Sequence, residues 1–167
     1  MYEFENPSPA TIFGYLKKAK TIAVVGLSNK TDRTSYLIAE GLQKNGYRIV
    51  PVNPTLKGTE LLGEKVYGTL QEIPFHIDIV DIFRRSEFLP EVAHDILETD
   101  ADVFWAQLGL QSQEAEQILR SAQRDAIVMN RCIKIEYAYS GLANLWVFQG
   151  LTKRSVLFSS LQVTLFI

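Results

Sequence analysis

The sequence predicts an α/β fold, a three-layer, doubly wound parallel sheet of five strands. Two observations predict it. Five short apolar runs rich in β-branched residues alternate with stretches whose apolar residues recur at helical spacing. The first of these runs, Thr21-Ile22-Ala23-Val24-Val25, breaks at Gly26, crosses a polar loop and enters a helical pattern that closes at Asn45-Gly46. Strand, loop and helix in that order set backbone N–H groups and a helix N-terminus above the carboxyl end of the strand, where a phosphate can sit.

Each element follows in turn. Ser8-Pro9 reads as a helix start, serine as N-cap and proline in the first turn, with Ile12, Phe13, Leu16 and Ala19 recurring at helical spacing. That helix is expected to cover an edge or a face of the sheet. Ile22–Val25 is a continuous apolar run, as a strand buried on both faces requires. Tyr36, Leu37, Ala39 and Leu42 supply the stripe of the next helix, and Asn45-Gly46 its C-cap. Arg48–Val52 is the second strand, stopped by Asn53-Pro54, and residues 55–68 read as loop. Thr69-Leu70-Gln71-Glu72 matches a capping box, which predicts a short helical turn before Pro74. Ile77–Phe83 is the third strand and ends in Arg84-Arg85; Pro90 opens a helix through Val92, Ala93, Ile96 and Leu97. Val103–Leu108 is the fourth strand. Ser112 caps a helix with Glu114 and Glu116 in its first turn and Ile118, Leu119 and Ala122 on its buried face. Ala126–Met129 is the fifth strand, followed by Asn130-Arg131-Cys132.

Right-handed crossovers leave few ways to wind these strands, and the expected order is 3-2-1-4-5 with the reversal between strands 1 and 4. Ligands of such sheets bind at the reversal, outside the carboxyl ends. Every strand end carries something polar: Ser28, Asn53, Arg84 with Arg85, Gln107, and Asn130 with Arg131. They are predicted to converge on one rim.

Length and composition bound what that rim serves. A chain of 167 residues suits one domain with a single core. With 47% hydrophobic and 22% charged residues it reads as folded and soluble rather than disordered. The net charge of −2 argues against a nucleic-acid partner, which calls for a basic excess or stripe. Cys132, the single cysteine, excludes an internal disulfide and a cysteine-rich zinc site. Met1–Pro9 carries Glu3 and Glu5 and no long apolar run, so a secretory signal is not expected, and a cytoplasmic location is.

The loop after the first strand does not suit a pyridine dinucleotide. Gly26 is followed by Leu27 and Ser28 with no further glycine before Gly41, so G-x-G-x-x-G is absent. No acid stands at the end of the second strand to hold a ribose 2′-hydroxyl; that position is Asn53-Pro54. Lys30 and Arg33, with Thr34 and Ser35 at the helix entrance, instead offer two cations and two hydroxyls to a phosphate. Walker-type, H-E-x-x-H, C-x-x-C and G-x-S-x-G patterns are all missing, so no catalytic residues are predicted.

Five blocks in order, Val24-Val25-Gly26-Leu27-Ser28, Tyr47 to Pro54, Asp78 to Arg85, Trp105-Ala106-Gln107-Leu108-Gly109, and Met129 to Tyr137, resemble the small stand-alone CoA-binding proteins. These are similar to the CoA-binding domain of the succinyl-CoA synthetase α subunit. The match spans about residues 8 to 140 and departs from the family's usual aspartate at Asn130. The resemblance implies a Rossmann-like domain over residues 1–140 that binds coenzyme A, or an acyl-CoA, along the strand ends. It implies Gly26, Leu27, Ser28, Arg33 and Ser35 at the phosphates, and the loop cation Lys30 is expected beside them. Asn53, Pro54, Phe83, Arg84 and Arg85 are expected on the adenosine side, and Gln107, Gly109, Asn130, Arg131 and Cys132 across the crevice by pantetheine. A binding or regulatory module is the first expectation. An NAD(P)-dependent oxidoreductase, or a transferase or ligase component that needs a partner subunit, are the alternatives; a homo-oligomer stays open.

Plainer roles compete at several positions. Gly26 can serve the turn alone, Lys30 and Arg33 can be solvated, Arg84 and Arg85 can pair with Glu87 or Glu91, and Asn53 can simply end its strand. Cys132 can be a small core residue. Asp81, near its strand's centre, needs a hydrogen-bond partner if buried. His76 and His94 have no second ligand at metal spacing, and no metal is expected. From Gly141 to Ile167 the composition changes: Lys153 and Arg154 are its charged residues, with no acid. Its final run, Val156 to Ile167, is too short and too polar to span a bilayer, and the extension is expected to be poorly packed or loosely docked.

Overall fold

The computed structural model describes residues 1–143, so the expected extension lies almost wholly outside the described residues. Helix α1 (Pro9–Lys18) is capped by Ser8, whose side chain accepts from the Thr11 amide, and leads into β1 (Thr21–Val25). Helix α2 (Thr34–Lys44) and β2 (Arg48–Val52) follow. The stretch expected as loop holds a 3₁₀ turn at Pro54–Leu56 and a two-stranded hairpin of β3 (Glu60–Leu61) and β4 (Glu64–Lys65). Leu62 and Gly63 make its turn with φ of 52° and 77°. The short turn predicted from the capping box is Leu70–Glu72, but the Thr69 hydroxyl does not cap it. Glu72 reaches back to the Gly68 amide (3.1 Å) and to Lys57 (2.7 Å) instead.

Then come β5 (Ile79–Ile82), α3 (Leu89–Leu97), β6 (Val103–Ala106), α4 (Gln113–Ser121), β7 (Ile127–Val128) and α5 (Ile133–Tyr139). Ser112 caps α4 through the Ala115 amide as the sequence predicts. Two stripes need amending. Leu37 points to solvent, 51% exposed, and Ile38 takes its place in the core, while Ala122 sits at the exposed end of α4.

The five parallel strands lie in the order β2-β1-β5-β6-β7. The doubly wound parallel class is as expected, but counted along the main sheet alone the order is 2-1-3-4-5, not 3-2-1-4-5. The third strand pairs directly with the first, Ile22 opposite Ile79 and Val25 opposite Ile82. The cause lies in β2. Pro51 has no N–H to give a second neighbour, which confines its strand to an edge. That edge is closed by the chain leaving the hairpin: Tyr67 donates to the Pro51 carbonyl (3.0 Å) and accepts from the Asn53 amide (2.9 Å). The reversal therefore falls between β1 and β5.

Alternate residues of each strand fill two cores. Ile22, Val24, Ile49, Ile79, Trp105 and Val128 pack under α1, α2 and α5; Ala23, Val50, Val80, Ile82, Phe104 and Ile127 pack under α3 and α4. The opening segment covers the other sheet edge. Asn6 exchanges two bonds with Met129, Nδ2 to its carbonyl (2.8 Å) and Oδ1 from its amide (3.0 Å), as a neighbouring strand would. Phe4 is buried beside it. No helix among the described residues is long and apolar enough to cross a membrane.

Candidate functional site

Three strand ends are drawn to one point by Gly26. Its φ of 85° and the nearness of β5 both demand glycine: a Cβ there would lie 2.9 Å from the Phe83 carbonyl oxygen. The Gly26 amide donates to the Val52 carbonyl (2.9 Å) and the Phe83 amide to the Val25 carbonyl (2.9 Å), so β2, β1 and β5 end side by side. Beyond Gly26 the loop folds on itself. Leu27 anchors it in the core, the Ser28 amide donates to Ser35 Oγ (3.1 Å), and the Lys30 amide to Ser28 Oγ (3.1 Å). Arg33 precedes α2 without capping it, and the helix's first backbone bond is Leu37 N–H to the Arg33 carbonyl (3.0 Å). The amides of the first turn are thus open toward the loop, where the helix dipole favours an anion. Lys30 and Arg33 enter no ion pair among the described residues.

Three cavities run along this rim. The first, about 300 Å³, lies between the ends of β2 and β1 and helix α3, and is lined by Gly26, Asn53, Pro54, Thr69, Arg84 and Glu91 among others. The second, about 450 Å³, is the loop itself: Ser28, Lys30, Arg33, Thr34, Ser35 and Phe83. The third, about 440 Å³, is walled by Ile38, Leu108, Leu110, Cys132 and Ile135, with Gln107, Arg84 and Arg85. Thr34 and Phe83 border both the second and third, and Arg84 both the first and third, so the three form one trough.

The structure sorts the sequence's candidates. Ser28, Lys30, Arg33 and Ser35 line the second cavity and Gly26 the first, but Leu27 lines neither, its side chain fully buried. Asn53 and Pro54 line the first cavity, yet the Asn53 side chain is committed: Nδ2 donates to the Leu27 carbonyl (3.0 Å), and Oδ1 accepts from the Thr55 amide (3.0 Å) and hydroxyl (2.8 Å). Phe83 and Arg85 do not join Asn53. With β5 beside β1 they stand across the crevice, at the second and third cavities. Arg84 faces both sides, 3.4 Å from Glu91 and stacked over Phe88, and Arg85 pairs with Glu87 at 3.2 Å. Gly109, Asn130 and Arg131 line none of the three cavities; the Gly109 amide donates to Asn130 Oδ1 (2.7 Å), and the Arg131 carbonyl accepts from Trp105 Nε1 (2.9 Å). They brace the loops behind the third cavity.

Under that cavity lies Asp81, fully buried. Gln107 Nε2 donates to its Oδ1 at 2.6 Å, which meets the requirement raised by the sequence, while Oδ2 has no partner among the described residues. Burial pushes the carboxyl up to about 7, against the opposing pull of the Gln107 bond. At the opposite ends of the strands, His76 is not as isolated as its sequence neighbours suggest. Asp100 lies 3.1 Å from Nδ1, and Asp102 (3.0 Å) and Asp78 (3.6 Å) from Nε2. The apolar lining residues Ile38, Leu108, Leu110 and Ile135 carry no signal in the sequence that marks a site, because polarity at strand ends does not extend to them.

A doubly wound sheet with a glycine turn, an open helix N-terminus and two cations beside its reversal is a Rossmann-like fold. The chain belongs to the CoA binding domain family, whose model matches residues 20–138. It is 52% identical over 134 residues to the uncharacterized protein YneT of Bacillus subtilis, covering 80% of this chain and 97% of that one. It is 30% identical over 115 residues, 63% of this chain, to the alpha subunit of ADP-forming acetate-CoA ligase I of Pyrococcus furiosus, of which it spans 25%. A solved Thermus thermophilus protein superposes with a TM-score of 0.76 at 31% identity, covering 80% of this chain and 99% of that one.

Proposed function

We propose that this protein binds coenzyme A along the trough and serves as a binding or regulatory module without catalytic residues of its own. The carrying observation is the middle cavity: Lys30 and Arg33, in no ion pair among the described residues, beside the uncapped first turn of α2. That arrangement suits a pyrophosphate. The adenosine end fits the first cavity and the pantetheine arm the third, which the Phe83 and Thr34 walls join to the loop. The missing glycines and the amide of Asn53, in place of an acid, disfavour NAD. Calorimetry with CoA, NAD and ADP separates these readings: CoA binds, and NAD does not displace it. Arg33→Ala weakens CoA binding by about tenfold and lowers its salt dependence; unchanged affinity removes Arg33 from the site.

The relation to a ligase subunit favours a second reading, a module that works with a partner chain. Gel filtration of the CoA-loaded protein with a pull-down tests it.

A further inference from the structure

We infer that the site is built for an acyl-CoA whose acyl chain is apolar, with the third cavity holding that chain beside the end of the pantetheine arm. The inference rests on the coenzyme A reading above and adds the substrate class. Five large hydrophobic residues are exposed among the described residues, and two of them, Leu108 (66%) and Ile135 (48%), stand at this one cavity. They come from the end of β6 and from α5, and with Ile38 and Leu110 they face a space already bounded by Phe83. Such surface is left in water at a cost unless an apolar group covers it.

The occupant follows from continuity and charge. Phe83 and Thr34 belong both to the phosphate-sized cavity and to this one, so an arm leaving the pyrophosphate in this direction runs onto these hydrocarbon walls. Of the pantetheine arm only the dimethyl group and the short methylene spacers are apolar, beside two amides, a hydroxyl and a thiol, and they leave part of these walls uncovered; a fatty acyl group on that thiol covers the rest. A charged acyl end is not matched. The Gln107 amide nitrogen is committed to Asp81, and the two arginines at the rim already face Glu91 and Glu87.

The test is calorimetry of the full chain with CoA and with acetyl-, butanoyl-, hexanoyl-, octanoyl- and succinyl-CoA, all below micellar concentrations. Each added methylene is expected to tighten binding about threefold to fourfold until the cavity is filled, with succinyl-CoA no tighter than CoA. Ile135→Glu is expected to collapse the ratio of hexanoyl-CoA to CoA affinity toward one. That ratio, not either affinity, is the readout. If CoA binds and chain length makes no difference, the inference fails and the coenzyme reading stands. If no member binds, CoA included, the coenzyme reading itself fails. A rising series that Ile135→Glu leaves untouched places the chain elsewhere and also overturns the inference. So does a flat series together with a dimer that Ile135→Glu breaks into monomers, which would assign the face to a second copy.

Discussion

Asp81→Asn is the substitution whose effect can be worked furthest. Asp81 lies on β5 between Val24 and Trp105, with no exposed surface, and its carboxyl is pushed from 3.8 to about 7 by burial. Between pH 4 and 7 the unfolded chain has lost this proton while the folded chain keeps it, so folding takes up a proton and stability falls as pH rises through that window. A shift of roughly three units at about 1.4 kcal/mol each amounts to about 4 kcal/mol lost by pH 8. Asparagine cannot titrate and still presents an oxygen to Gln107, but it sets an amide N–H₂ where Oδ2 has no partner, at about 1–3 kcal/mol at every pH. The variant is therefore less stable than the wild type at pH 4.5. Relative to the wild type it gains about 3 kcal/mol by pH 8, where it matches or exceeds it. Urea unfolding of both proteins at pH 4.5, 6 and 8 measures this. A stability difference that stays constant across the three would show that the carboxyl is solvated or paired, and the reasoning would be refuted.

Other substitutions probe the frame. Gly26→Ala sets a Cβ 2.9 Å from the Phe83 carbonyl at a φ of 85°, and should cost about 1–3 kcal/mol in thermal unfolding; a neutral result would mean that the two strand ends are not in contact. Asn6→Ala removes both bonds to Met129, so the protein should lose about 1–3 kcal/mol and the Met129 amide should exchange faster with deuterium, whereas unchanged exchange would leave that edge uncovered by Asn6. His76 has its pKa raised from 6.5 by Asp100 and then Asp102. The stability this contributes is fully present below pH 6.5 and lost as pH rises through the folded value, so the Tm difference between wild type and His76→Asn should be larger at pH 5.5 than at pH 8.5. Equal differences at both would count against the ion pairs.

The elements legible in the sequence are those fixed by local chemistry. Ser8 and Ser112 cap the helices they announce, and the apolar runs become buried strands. Strand order is a different kind of property, decided by which edges accept a neighbour. Its signal was nevertheless present in Pro51, whose missing N–H marks β2 as an edge strand and leaves room on its far side only for the short parallel bridge with Tyr67. The hairpin over residues 60–65 was not legible from apolar periodicity because each strand is two residues long, too short to show any. Asn6 acts through its side-chain amide as a piece of strand, a role that no periodicity records.

The site divides along the same line. Gly26, Ser28, Lys30, Arg33 and Ser35 fall within ten residues of one another, so a strand-loop-helix reading places them together without any tertiary information. A polar residue at a strand end, by contrast, has two uses: it can meet a ligand or bond the next strand's loop. Composition does not separate them, and Asn53 and Asn130 took the second. That outcome is itself part of how the rim works. Because Asn53 ties the β2 end to Leu27 and Ser35 holds the Ser28 amide, the loop is fixed by side chains, while the amides at the start of α2 stay uncommitted. A loop held this way needs little ordering on binding and offers an anion donors already in place, which lowers the entropic cost of capture. On the coenzyme A reading, Asn53 and Ser35 serve the site by holding the loop and leaving its backbone free, while Lys30 and Arg33 face the anion.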